Sequence, residues 1–134
     1  MCQGGKLVEI KGLYCPLDHS VAKIAKVPTF VSDTGHQSPL TSIILSHYPK
    51  VLIRRTDIHI TDTDGRIHTF VIYFRYDKCF GHNMAVKPFH RHIHWSGDIF
   101  VMQGGQRKDL VNLQGWHQRY IAEQAIQRYV PYFQ

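Results

Sequence analysis

The chain has 134 residues and a mass of 15.6 kDa, 43% of it apolar, 12% aromatic and 19% charged, which is one domain able to bury a core without disulfide or metal staples and too apolar for a disordered segment. No apolar run reaches the roughly 20 residues that span a bilayer, and Met1 to Ile10 lack the continuous apolar region of a secretory signal. Sixteen Lys and Arg against ten Asp and Glu give a net charge of +6, which favours anionic partners; the only adjacent basic pairs are Arg54-Arg55 and Arg107-Lys108, so no basic arm is present.

In chain order, residues 1–5 carry two glycines and read as a flexible tail, leaving 6–134 as a single domain. Lys6 to Ile10 alternates as a short first strand, broken by Gly12 and Pro16. Asp18 is a fair N-cap for a short helix over His19 to Lys26, where Val21, Ile24 and Ala25 have helical spacing and Pro28 follows. Ser32, Asp33, Thr34 and Gly35 spell a loop. Ser38-Pro39 is a helix opening, with Ser as N-cap and Pro at the first helical position; the nearly all-round apolar Ile43 to Leu45 suits a short helix or a strand, and the cap favours a second short helix over Leu40 to His47.

Lys50 to Ile60 and Arg66 to Tyr76 are two β-rich runs around Asp62-Thr63-Asp64-Gly65 and predict a hairpin. A two-residue turn would mix polar and apolar residues on both faces. A three-residue loop with Gly65 in the left-handed position sets Ile60 opposite His68, Ile58 opposite Phe70, Thr56 opposite Ile72 and Arg54 opposite Phe74. One face is then largely apolar, and the other carries Arg55, Asp57, His59, Thr69, Tyr73 and Arg75. Two further strands are expected at Pro88 to Trp95 and Asp98 to Gln103 around Ser96-Gly97, with a short last one in Asp109 to Leu113. A C-terminal helix runs from Trp116 to Val130 with Ile121, Ala122, Ala125, Ile126, Tyr129 and Val130 as its apolar stripe, and Pro131 stops it.

The chemistry-bearing residues fall into three groups. Strand alternation puts His90, His92 and His94 on one face and Phe89, Ile93 and Trp95 on the other. A His-x-His pair suits zinc, copper or iron, with Asp98 and His117 as completing ligands and His59 or His68 available from the hairpin; the same row also reads as acid/base groups or as polar surface. Arg54, Arg55, Arg75 and Arg91 with Tyr73 form a candidate anion or nucleic-acid face, since aromatic rings beside cations stack bases. Cys2, Cys15 and Cys79 make no CxxC pair and read as reduced thiols, and Cys79 with His82 lacks an orienting residue.

Two resemblances follow from these residues. His92-x-His94, then Asp98, then Gly104 after the apolar Ile99 to Met102, resembles the first metal motif of the cupin family, with Asp where cupins carry Glu; Asp109 to His117 is similar to the second motif, with a shorter spacing between the two. The resemblance implies His92, His94, Asp98 and His117 as ligands of a transition metal. Phe70 to Phe74, Gly97 to Met102, Val111 to Leu113 and the helix with Ala122 and Ala125 are similar to short uncharacterised mushroom (basidiomycete) proteins, which implies a small intracellular fungal protein and no activity.

The expected fold is α+β: an antiparallel β-sheet of about four to six strands packed by a C-terminal helix and short N-terminal helices. The expected function is that of an intracellular binding or interaction protein, cytoplasmic or nuclear, with a His-rich sheet face or pocket. Its alternatives are a metal-dependent enzyme using the His-x-His pair and a nucleic-acid-binding protein. A homo-oligomer is compatible with unpaired sheet edges, and no membrane insertion is expected.

Overall fold

In the computed structural model, which describes residues 5–16, 21–46, 49–76, 83, 85, 95–105 and 109–133, the fold is organised around the hairpin β4 (Arg54–Thr61) and β5 (Ile67–Phe74). Its register is the one that the apolar pattern demands: Arg54 faces Phe74, Thr56 Ile72, Ile58 Phe70 and Ile60 His68. Gly65 has φ +80°, the left-handed position that only glycine takes without strain. The Asp62 N–H donates to the Arg66 carbonyl at 2.9 Å, and the Gly65 N–H donates to the Asp62 carbonyl at 3.1 Å. Asp62 reinforces the turn with its side chain, accepting from the backbone N–H groups of Asp64 and Arg66 and pairing with the His68 imidazole at 2.7 Å.

The remaining strands are β1 (Lys6–Cys15), β2 (Lys23–Val31), β3 (Gln37–Pro39), β6 (Ile99–Gly104) and β7 (Leu110–Val111), with α1 (Thr41–Ile44) after β3 and α2 (Gly115–Phe133) at the C-terminus. They make one antiparallel sheet in the order β3-β2-β1-β6-β5-β4, and β7 pairs with the end of β6 off this path. β6 is central. Its first half pairs with β1 and its last two residues with β7, while β5 runs along its whole length.

Both sheet faces are covered near the middle. On one, Leu13, Phe70, Ile72, Phe74, Ile99 and Val101 pack against Ile121, Ala122, Ala125 and Ile126 of α2. Each buried isoleucine there stabilises the fold by about 1.5–3 kcal/mol. Trp95 and Tyr129 close one end of this layer, their rings 5.4 and 5.6 Å from Phe74 in edge and tilted contacts. On the other face, Ile10, Tyr14, Val27, Val71, Tyr73, Phe100 and Met102 form a second cluster capped by Leu45.

The structure corrects the N-terminal expectations. Residues 23–26 belong to strand β2 and not to a helix, because Val27 and Thr29 bury at period two once β1 lies alongside. Pro28 is tolerated within that strand: its carbonyl accepts from Leu40 on the β3 side, so its missing N–H also falls on that side and not in the β1 ladder. Ser38 and Pro39 lie in β3, and the second expected helix is reduced to the four residues of α1, without a side-chain cap. β1 runs straight through Gly12, where a Cβ would meet the Val101 carbonyl oxygen at 2.5 Å and the Phe100 ring at 2.6 Å; the glycine marks a close approach and not a break. α2 continues to Phe133, with Pro131 in its last turn, where few helical bonds remain to be disturbed. The expected strand Pro88 to Trp95 lies outside the described residues apart from Trp95, which is buried.

Two stability predictions follow. Gly12→Ala forces backbone and ring apart and should cost about 1–3 kcal/mol in denaturant unfolding; an unchanged midpoint would mean that β1 and β6 do not approach as described. The hydrogen bond from His68, more than any other contact, holds the Asp62 carboxyl below its ordinary range. A lowered folded value makes this contribution present above the unfolded carboxylate range near about 4 and lost as pH falls through the folded value. The Tm deficit of Asp62→Ala relative to the parent should therefore narrow between about pH 5 and about pH 2; a constant deficit would contradict the pairing.

Candidate functional site

Strand alternation carries the polar face of the hairpin to the inside of the sheet's curl. Arg55, Asp57 and His59 of β4, with Thr69, Val71 and Tyr73 of β5, line a cavity of about 1010 Å³. His36, Gln37, Ser38 and Pro39 line it too, although β3 and β4 are the two ends of the sheet path. The sheet therefore curls into a half-barrel whose end strands share one interior. Gly104, Gly105, Asp109 and Leu110 complete the lining. The volume lies at the upper end of the roughly 300–1,000 Å³ of small-molecule sites.

The turn before β3 positions His36. The Ser32 hydroxyl accepts from the His36 N–H at 3.0 Å, and Gly35 takes φ +88°. Gln37 then uses its side-chain amide as a substitute strand, donating to the Leu110 carbonyl and accepting from the Leu110 N–H, which ties β3 to β7.

On the opposite wall, Arg55 Nε lies 3.4 Å from Asp57, both side chains being more than half exposed. Such a pair stabilises the fold by only about 0.2–1 kcal/mol; its consequence is placement of the guanidinium, 6.0 Å from the centre of the Tyr73 ring. His59 Nδ1 and the Thr69 hydroxyl are 3.0 Å apart, across a directly opposed strand pair, which fixes the imidazole and leaves its Nε2 for other partners. Burial pushes the Tyr73 phenol above its ordinary range, partly offset by Arg55.

Among the described residues, those singled out from the sequence do not all share one place. Of the anion-face set, Arg55 and Tyr73 share the cavity, Arg54 sits on the other face opposite Phe74, and Arg75 is buried. The Arg75 guanidinium donates to the carbonyls of Leu45, Pro49 and Val51, holding the segment that leads into β4. His90, Arg91, His92 and His94 lie outside the described residues, as do Cys79 and His82. Asp98 is buried just before β6 and accepts from the Tyr14 hydroxyl at 3.3 Å. Beside it Asn83 donates to the carbonyls of Cys15 and Gly97 and accepts from the Ala85 N–H, tying β1 to the turn before β6. His117 is exposed in the first turn of α2. Among the described residues no group of three His, Cys, Asp or Glu side chains could hold a metal ion. Cys15 is fully buried, and burial raises its thiol far above the reactive range.

His36, Gln37 and Asp109 are cavity residues that no sequence motif marks, since they reach the site only through the curl of the sheet. Asp57 and His59 were visible as neighbours of Arg55 on one strand face. No known family matches the chain, and neither a curated protein nor a solved structure is significantly similar to it.

Arg75→Met keeps the bulk of the side chain and removes three charge-assisted donors. It should cost about 2–4 kcal/mol of stability, measured by urea unfolding; a loss below about 1 kcal/mol would show that the segment before β4 is held by its apolar contacts alone.

Proposed function

We propose that this protein is a binding protein that holds a small polar ligand in the half-barrel cavity. The observation that carries the reading is the cavity itself: about 1010 Å³, walled by the polar face of one hairpin, with Arg55 and His59 each held by a neighbour. Side chains fixed before the ligand arrives lose little freedom on binding, which favours affinity. The floor at Val71 and Tyr73 belongs to the second apolar cluster.

The test is a thermal-shift screen of a metabolite library that spans anionic, cationic and neutral compounds. A ligand present at about 100 times its Kd stabilises the protein by about 2.7 kcal/mol. At least one compound should raise Tm, and Thr69→Trp, which places an indole in the cavity, should abolish that rise while the unliganded variant still melts cooperatively. A rise that survives Thr69→Trp would place binding elsewhere, and no rise across the library would sink the reading.

A further inference from the structure

Tyr73 is only 8% exposed, lines the cavity, and its hydroxyl has no hydrogen-bond partner among the described residues. The ring is packed in the second apolar cluster while the hydroxyl opens on the cavity, where water answers it until a ligand oxygen takes water's place. A phenol is protonated at neutral pH, so it presents a donor to an incoming oxygen.

The charges around it are of both signs. The Arg55 guanidinium is paired with Asp57 at 3.4 Å, and Asp109 adds a further carboxylate to the lining. An anionic ligand drawn to Arg55 would compete with Asp57 and meet Asp109; a cation drawn to the carboxylates would meet Arg55. Either meets an opposing charge beside the one it seeks. What the wall offers without that cost is alternation. Arg55, Asp57 and His59 succeed each other at every second residue of β4, about 6.6 Å apart. They present N–H donors, a carboxylate acceptor, and an imidazole Nε2 that takes either role according to tautomer. A hydroxyl both donates and accepts, so a chain or ring of hydroxyls satisfies all three at once.

Resting on the cavity-binding reading, we propose that the ligand is an uncharged polyhydroxylated compound of the saccharide class, with the Tyr73 hydroxyl as its buried anchor. Arg55, Asp57 and His59 read the hydroxyls along β4, and Val71 meets the ligand's C–H face.

The experiment is isothermal titration of the full chain with glucose, galactose, mannose, N-acetylglucosamine, lactose and cellobiose, and with citrate, AMP and spermidine as charged probes. Each is run at about 0.1 M and about 1 M salt, across which the screening length falls from about 10 to about 3 Å. Saturable binding of a neutral saccharide, equal at both salts and weakened about fivefold or more in Tyr73→Phe, supports the proposal. Tyr73→Phe removes one oxygen from the cavity wall and should keep the parent's unliganded Tm; should it not, Asp57→Asn, which upsets the donor and acceptor pattern on an exposed side chain, supplies the second variant. Binding of a charged probe alone, falling with salt, overturns the ligand class and leaves the cavity reading standing. Saccharide binding untouched by both variants overturns the assigned contacts. Failure of every probe overturns the ligand class, and the metabolite screen then decides whether the cavity reading falls with it.

Discussion

The left-handed turn at Gly65 sets the register of β4 against β5, and that register sorts the side chains of both strands between two environments. With Asp62 opposite Arg66, Ile58, Ile60, Phe70, Ile72 and Phe74 all point toward α2. Arg55, Asp57, His59, Thr69 and Tyr73 all point into the curl. A slip of one residue in β4 would exchange its two faces, burying Arg55 and Asp57 under the helix and turning Ile58 and Ile60 into the curl. The apolar layer beneath α2 thus enforces the same alignment that builds the polar wall of the cavity.

Curvature does the rest. β6 is shared in turn by β1 and β7, and Gly12 lets β1 cross it at a distance that no side chain would permit. From that crossing β1 leaves β6, and β7 fills the opening, where Asn112 accepts from the Lys11 N–H and Leu113 donates to the Lys11 carbonyl. β2 and β3 then swing round far enough for Gln37 to grip Leu110. A flat sheet of the same strands would leave His36 and His59 at opposite ends with no common interior.

The buried polar groups divide by what answers them. Arg75 and Asn83 are matched by backbone carbonyls of segments that have no ladder of their own, and so act as fasteners. Asp98 has the Tyr14 hydroxyl. Tyr73 differs, since its ring is packed in the second apolar cluster while its hydroxyl opens on the cavity. Exposure alone would not separate Arg75 from Tyr73; the partners do.

The sequence by itself determined whatever depends on neighbours along the chain: the β4–β5 hairpin with its register and glycine, the Ser32 to Gly35 turn, and the apolar stripe of α2 at Ile121, Ala122, Ala125 and Ile126. These are set by periodicity and turn chemistry, which act over a few residues. It also displayed Arg55, Asp57, His59, Thr69 and Tyr73 as one strand face. Only the tertiary structure decided that residues 23–31 are a strand, because pairing with β1 outweighs a local pattern that suits a helix equally well. Only the curl of the sheet brought His36, Gln37 and Asp109 to the same cavity as Tyr73, and only packing turned Arg75 from a surface cation into an internal fastener. Those outcomes rest on contacts between residues tens of positions apart, which no local spacing encodes.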